Sequence, residues 1–344
     1  MKKVLLTAAA AVMLSTSAMA ADLKMPAKAA PAAPPSPWDI AFGGYIASDY
    51  IWRGITQSNH RPSISAYTEL RYNSSPTLQW YAGISGSSIS FPNQAALEMD
   101  FYGGVRPTFG PLALDLGFIY YYYPKGTCFA GATNGLGQPN NADCVANLPL
   151  PINGNVTKAK ADFYEWYAKA VYTINDMWAL GGNFFYTPSY ANTGAEGEYL
   201  SGTLKFTAPS AWLPAGIGMY LSGEFGRQWL GTSDAFYGIA AGTAIFGGGG
   251  AVTGSNFAAG VNYADYNTWN VGGGFTWKVF TLDLRYSDTN MSTGDCNALT
   301  SDYTATGPSI GNVTAINPGG FGSKWCGSTF IAKLSADVTL GSLK

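Results

Sequence analysis

Charge is scarce in this chain. Of its 344 residues, 12% are Asp, Glu, Lys or Arg, against about 25% in an average soluble domain. The 19 basic and 21 acidic residues leave a formal charge of −2, so no basic surface is available and a nucleic-acid partner is excluded. Histidine occurs once and cysteine four times, which is little material for a metal site or an acid–base centre; no cofactor is expected. Long apolar runs are missing after the N-terminus. That excludes a bundle of membrane helices, each of which needs about 20 consecutive apolar residues. What the chain has in quantity is aromatic residues, at 15%, and 43 glycines, at a mean hydropathy of only +0.02. This much aromatic and β-branched content excludes disorder, because it can bury a core. Low charge, many aromatics and neutral hydropathy together fit a membrane β-barrel, in which apolar and polar residues alternate and average out.

Residues 1–20 read as a secretory signal. Lys2 and Lys3 supply the positive region, Val4 to Leu14 the apolar stretch, and Ala18-Met19-Ala20 the cleavage site. Loss of the two lysines takes the charge from −2 to −4. Residues 21–37 are rich in Ala and Pro without an apolar period, the composition of an extended periplasmic linker. Residues 38–344 are expected to form one outer-membrane barrel.

From Trp38 the hydrophobic period is two. Ile64, Ala66, Thr68, Leu70 and Tyr72 alternate with Ser63, Ser65, Tyr67, Glu69 and Arg71, and the pattern restarts after the turn at Asn73–Pro76. Carried to the end, it predicts an all-β fold: a transmembrane antiparallel up-and-down β-barrel of about 12 strands, over 38–53, 62–73, 78–89, 96–106, 112–123, 162–174, 177–188, 197–207, 216–229, 264–277, 280–288 and 328–342. Every second connection is tight, and the others include 124–161, 230–263 and 289–327. Short periplasmic turns alternating with long outer loops are the signature of such barrels. Aromatics near strand ends, among them Trp38, Trp80, Trp166, Trp178 and Trp277, suit the headgroup level.

The charges fall on one parity. Glu69, Arg71, Glu98, Asp100, Arg106, Asp115 and Glu165 are expected to face the lumen, together with Lys169, Lys205, Glu224, Asp283, Arg285, Lys333 and Asp337. Asp49 and Arg53 fall inward by the same parity if strand one runs to residue 53. Arg or Lys on the lipid face costs about 2–4 kcal/mol at mid-membrane, so this placement is required by the barrel whether the residues line a water path or pair across a plugged interior. Twelve strands lie between the filled eight-stranded barrels and the open sixteen-stranded ones. The nearly balanced signs predict weak ion selectivity, tilted toward cations.

Cys128 and Cys144 lie in one long loop, Cys296 and Cys326 in another. Their spacing matches no zinc pattern and the compartment is oxidising, so they are expected to pair within each loop as Cys128–Cys144 and Cys296–Cys326. Gly247–Gly250 lacks the following Lys-Ser/Thr of a phosphate loop and reads as a loop tip. His60 beside Ser58 raises the question of a lipid-modifying enzyme. A nucleophile needs a base within reach and an orienting group, which Asp49 supplies only by folding back. The expectation is no enzyme.

Gly44-Tyr45, Ser48-Asp49-Tyr50, Arg53-Gly54 and Gln57-Ser58 resemble the opening motif of the TorF-type porin family of proteobacteria. Glu98, Asp100, Tyr102-Gly103-Gly104, Asp115-Leu116-Gly117 and Phe163 to Tyr167 resemble its later motifs. The likeness covers roughly residues 40–230. It implies an outer-membrane, pore-forming barrel without catalytic residues. The long cysteine-bearing loops, and an ending of Leu340 to Lys344 in place of a terminal aromatic, depart from the family's pattern. The function expected is passive diffusion of small hydrophilic solutes or ions, with outer-membrane lipid as the surrounding partner. A homo-oligomer is compatible with this, although no stretch marks a subunit interface. The rival expectations are a structural or adhesion barrel with a closed lumen, and the lipid-modifying enzyme built on Ser58 and His60.

Overall fold

A computed structural model describes residues 37–128, 156–252 and 257–343. The expected signal, the linker before Pro37, and Cys144 lie outside the described residues. The chain forms a closed antiparallel barrel of twelve strands. In chain order these are β1 (Trp38–Ala47), β4 (Ser63–Ser75), β5 (Leu78–Ser88), β6 (Leu97–Phe109), β7 (Leu112–Tyr122), β8 (Phe163–Thr173), β9 (Trp178–Thr187), β10 (Gly197–Thr207), β11 (Ile217–Leu230), β12 (Tyr266–Trp277), β13 (Phe280–Thr289) and β14 (Thr329–Thr339). The remaining two, β2 (Ile51–Trp52) and β3 (Ile55–Thr56), pair only with each other. Every barrel strand pairs with its sequence neighbour, and β1 closes on β14 from Ala41↔Thr339 to Ala47↔Lys333. No helix among the described residues is long and apolar enough to cross a membrane.

Alternation makes the two surfaces of this wall. In β8, Phe163, Glu165 and Tyr167 are buried while Tyr164 and Trp166 are exposed. Outward positions carry Leu70, Phe101, Leu200, Val271, Phe275 and Leu284, all at least 40% exposed. A belt of large apolar side chains this extensive is stable facing hydrocarbon and not water. Trp38, Trp80, Trp178 and Trp277 stand exposed near the tight-turn end, and Tyr164 and Trp166 near the long-loop end. Tyr121 and Tyr123, also near a strand end, are by contrast buried.

Inside, tyrosines lie on glycines of the neighbouring strand. A Cβ on Gly43 would sit 2.8 Å from the ring of Tyr67, and one on Gly274 2.7 Å from that of Tyr220; Gly83 under Tyr102, Gly117 under Tyr167 and Gly226 under Tyr199 repeat the arrangement. A ring laid across a glycine fills the lumen without forcing the wall apart and pins the register of the pair.

The structure corrects the first strand. It ends at Ala47, six residues earlier than alternation suggests, and the chain turns into the barrel. The cause is local. Arg53 and Gly54 both have positive φ, +47° and +79°, as the two-residue hairpin turn between β2 and β3 demands. Asp49 and Arg53 are therefore loop residues inside the barrel, not members of a membrane strand. The last strand likewise stops at Thr339, followed by a turn of 3-10 helix over Leu340–Leu343.

Candidate functional site

The loop 48–62 is built around Asp49. Its Oδ1 accepts from Thr56 Oγ1 at 2.6 Å and lies 2.9 Å from Ser58 Oγ, and its Oδ2 lies 2.7 Å from His60 Nδ1. Asp49 thus does fold back, with Thr56 and Ser58 on one oxygen and His60 on the other. Ser58 Oγ accepts from the Tyr50 N–H at 3.0 Å and has two acceptors for its own proton, Asp49 and the Arg61 carbonyl at 2.7 Å. The second His60 nitrogen, Nε2, faces the Lys324 carbonyl at 3.1 Å. With a carboxylate on one nitrogen and a carbonyl on the other, the ring is best satisfied as a double donor. The hydrogen bond to Asp49 accordingly raises the His60 pKa above its ordinary value; partial burial opposes this, and the Lys324 carbonyl and Asp302 add to the rise.

At the tip of the loop, Arg53 meets the far wall. Its Nη1 and Nη2 donate to the two oxygens of Glu165 at 2.9 and 2.7 Å, and Nη1 also to Gln228 Oε1 at 3.1 Å. Both side chains of the ion pair are 1% exposed. Three rings surround the guanidinium, Trp52 at 4.2 Å, Tyr199 at 4.6 Å and Phe185 at 4.7 Å. Burial alone disfavours the Arg53 charge; Glu165 more than offsets it and holds the guanidinium charged. Planar, bidentate pairing inside an aromatic cage is a site for which lysine is no substitute. Arg53 Nε is buried with no partner among the described residues. Tyr50 donates to Glu98 at 2.6 Å, and Tyr123 donates to the other oxygen of Glu98 at 2.8 Å. Gly54 allows close approach to the wall, since a Cβ there would lie 2.6 Å from Thr268 Oγ1.

Above this loop the described outer loops form one buried core. Trp52 and Ile55 pack with Tyr190, Tyr263 and Trp325, and with the disulfide Cys296–Cys326. Backbone and side-chain bonds tie the two loops together: the Thr56 N–H to the Trp325 carbonyl at 3.0 Å, and Trp325 Nε1 to Asn59 Oδ1 at 2.9 Å. Helix α1 (Thr293–Thr300) carries Cys296. Cys128 is also disulfide-bonded, while Cys144, its expected partner, lies outside the described residues. Gly247, Gly248 and Gly250 have positive φ.

The charged side chains named from the sequence divide between unlike halves of the barrel. Against β4–β8 the interior is filled. Arg106 lies 3.6 Å over the ring of Tyr81 and donates to Glu69 at 2.8 and 3.0 Å and to Asp115 at 3.3 Å; Arg71 adds a 2.5 Å bond to Glu69. Tyr81 bonds both Asp115 and Tyr167. Lys169, beside Asp115 in the register, lies 4.5 Å from the Tyr167 ring. Higher up, Glu98 takes the tyrosines already named and Asp100 accepts from Ser85 at 2.7 Å. Against β9–β14 and β1 the interior is hollow: a chamber of about 200 Å³ lies beneath Arg53. Its wall carries Lys205, Glu224, Asp283, Arg285 and Lys333. Asp337 sits apart, accepting from Tyr67 at 3.1 Å. Parity does not reveal the docking of Arg53 on Glu165, Gln228 and the rings; the Arg53-Gly54 pair is the available signal. No cluster of His, Cys, Asp and Glu among the described residues is arranged to hold a metal.

Residues 31–137 match a family described as a bacterial protein of unknown function (Gcw_chp). That stretch contains β1, the inward loop and the strands through β7. No curated protein matches the sequence. Among solved structures, the chain is similar to a Pseudomonas aeruginosa FadL homologue, at 11% identity and TM-score 0.40, covering 88% of this chain and 90% of that one. It is also similar to an outer-membrane channel from Pseudomonas putida F1, at 11% identity and TM-score 0.37, covering 91% and 100%. OmpT, an outer-membrane protein of Vibrio cholerae, is a third, at 11% identity and TM-score 0.33, covering 89% and 99%.

Proposed function

We propose that this protein is an outer-membrane channel for small hydrophilic solutes whose outer mouth is shut by the docked first loop. The observation that carries the reading is the hollow polar half of the lumen beneath Arg53. A barrel that serves only as a scaffold gains nothing by leaving charged groups around a void, where they need water or a solute to satisfy them. The likeness of Gly44-Tyr45, Ser48-Asp49-Tyr50 and Arg53-Gly54 to the TorF-type porin motif supports the same reading and an outer-membrane location. In it the loop replaces the open mouth of a general porin by a removable stopper. The protein is not an enzyme on this reading, since Ser58 and His60 are both spent on holding the loop.

A second reading, a structural or adhesion barrel, draws on the packed core over the mouth. Osmotic swelling of liposomes that contain refolded full-length protein separates the two. Slow swelling in arabinose is expected for the native protein, and several-fold faster swelling after Cys296 and Cys326 are replaced by serine. Absence of swelling in both forms, each shown folded by its heat-dependent gel migration, assigns the structural barrel instead.

A further inference from the structure

The inward charges of the whole lumen lean negative, but the chamber does not. Its lining carries four cationic side chains, Arg53, Lys205, Arg285 and Lys333, against two carboxylates, Glu224 and Asp283. Arg53 is neutralised by Glu165, which lies outside the lining, so the surplus is carried by Lys205, Arg285 and Lys333, three cations against two carboxylates. Neither chamber carboxylate is bare. Asp283 takes Arg285 at 3.0 and 3.1 Å and the Tyr220 hydroxyl at 2.5 Å. Glu224 takes Tyr199 at 3.1 Å and Asn270 at 3.2 Å. No hydrogen bond joins Lys333 to a described residue; its Nζ lies 5.7 Å from the Tyr45 ring, and the carboxylates that act on it through space are Asp283 and Asp337. Its cross-strand neighbour is Asp283, already engaged by Arg285.

We infer that the chamber is a binding subsite for a small hydroxylated carboxylate, a sugar acid in chemical class, with Lys333 as the principal counter-charge and Lys205 and Arg285 beside it. The inference deepens the channel reading and rests on it for how the solute arrives and leaves. An ammonium facing a low-dielectric void attracts an anion more strongly than it does in bulk water. The hydroxyls of Thr203, Ser222, Thr281 and Ser287 on the same wall both donate and accept, as polyol recognition requires. Fixed cationic groups in a narrow lumen select anions for the same reason that carboxylate rings select cations.

Calorimetric titration of detergent-solubilised full-length protein with gluconate tests this, with glucose as the uncharged control. Gluconate is expected to bind at least about tenfold more tightly than glucose, the scale of one charge-assisted hydrogen bond. Lys333→Gln is expected to lose about tenfold, whereas Lys169→Gln in the filled half leaves gluconate affinity unchanged. Equal affinity for gluconate and glucose, or full affinity in Lys333→Gln, overturns the assignment. The titration is repeated with Cys296 and Cys326 replaced by serine, so that a sealed chamber is distinguished from an inert one; no binding in that form also overturns it. Because no ion flow is measured, gluconate binding by a protein that does not swell liposomes leaves this inference standing and removes the channel reading.

Discussion

Asp49, Arg53 and His60 decide where the first loop sits, and each does so through a different interaction. Arg53 is fixed by a buried ion pair, which is costly to form and more costly to break, because removing one partner strands the other charge. Asp49 shapes the loop on itself. His60 joins it to the carbonyl of Lys324 in the last loop, and here the proton has a role. The His60 pKa is raised in the folded state, chiefly by its bond to Asp49. A raised pKa means that the contact contributes fully below about 6.5, the unfolded value, and fades as pH rises through the folded value. The groups that face the ring are Asp49, Asp302 and the Lys324 carbonyl, and none of these donates a proton in exchange. Amide protection factors in 48–62, taken relative to the intrinsic exchange rate at each pH, are therefore expected to be larger at pH 5.5 than at pH 8.5, and His60→Gln to remove the difference. Equal protection at the two pH values in the native protein contradicts this account of His60.

The elements show what alternation in a sequence can and cannot convey. Strands β4–β14 of the barrel lie close to where the period of two places them, because lipid on one side and polar groups on the other force every spanning residue to choose a face. The first loop is not legible in this way, since Asp49 and Arg53 against Tyr50 and Trp52 continue the alternation of β1 by parity, and the chain leaves the wall through the positive-φ turn at Arg53-Gly54. Nor does sequence reveal that β4–β8 face a filled half and β9–β14 a hollow one. That division depends on which side chains meet across the barrel, as Arg106 meets Glu69, and strand tilt and stagger set those meetings. The tyrosine–glycine pairs link wall and loop. A Cβ on Gly226 would lie 2.6 Å from Tyr199 Cζ, and Tyr199 is one wall of the Arg53 cage. Gly226→Ala is expected to cost about 1–3 kcal/mol through this overlap and to raise protease cleavage within 48–62 while the barrel stays closed. Unchanged cleavage contradicts a coupling of Tyr199 to the loop.

At the scale of the whole molecule, the twelve-stranded barrel is capped at its long-loop end by the first loop and by the disulfide-held segment above it, over a lumen that is half core and half chamber. On the proposed function, the docking of Arg53 on Glu165 holds the channel shut. Arg53→Ala leaves Glu165 buried without its partner, which disfavours the docked loop by about 3–5 kcal/mol without touching a membrane strand. The most direct test is single-channel recording in a planar bilayer, comparing the native protein with Arg53→Ala, each refolded and shown to have closed its barrel. The prediction is rare, brief openings for the native protein and long-lived, larger conductance steps for Arg53→Ala, with a reversal potential on the anion side in a salt gradient. Equal conductance in the two proteins, open or silent, contradicts the claim that this loop is the gate.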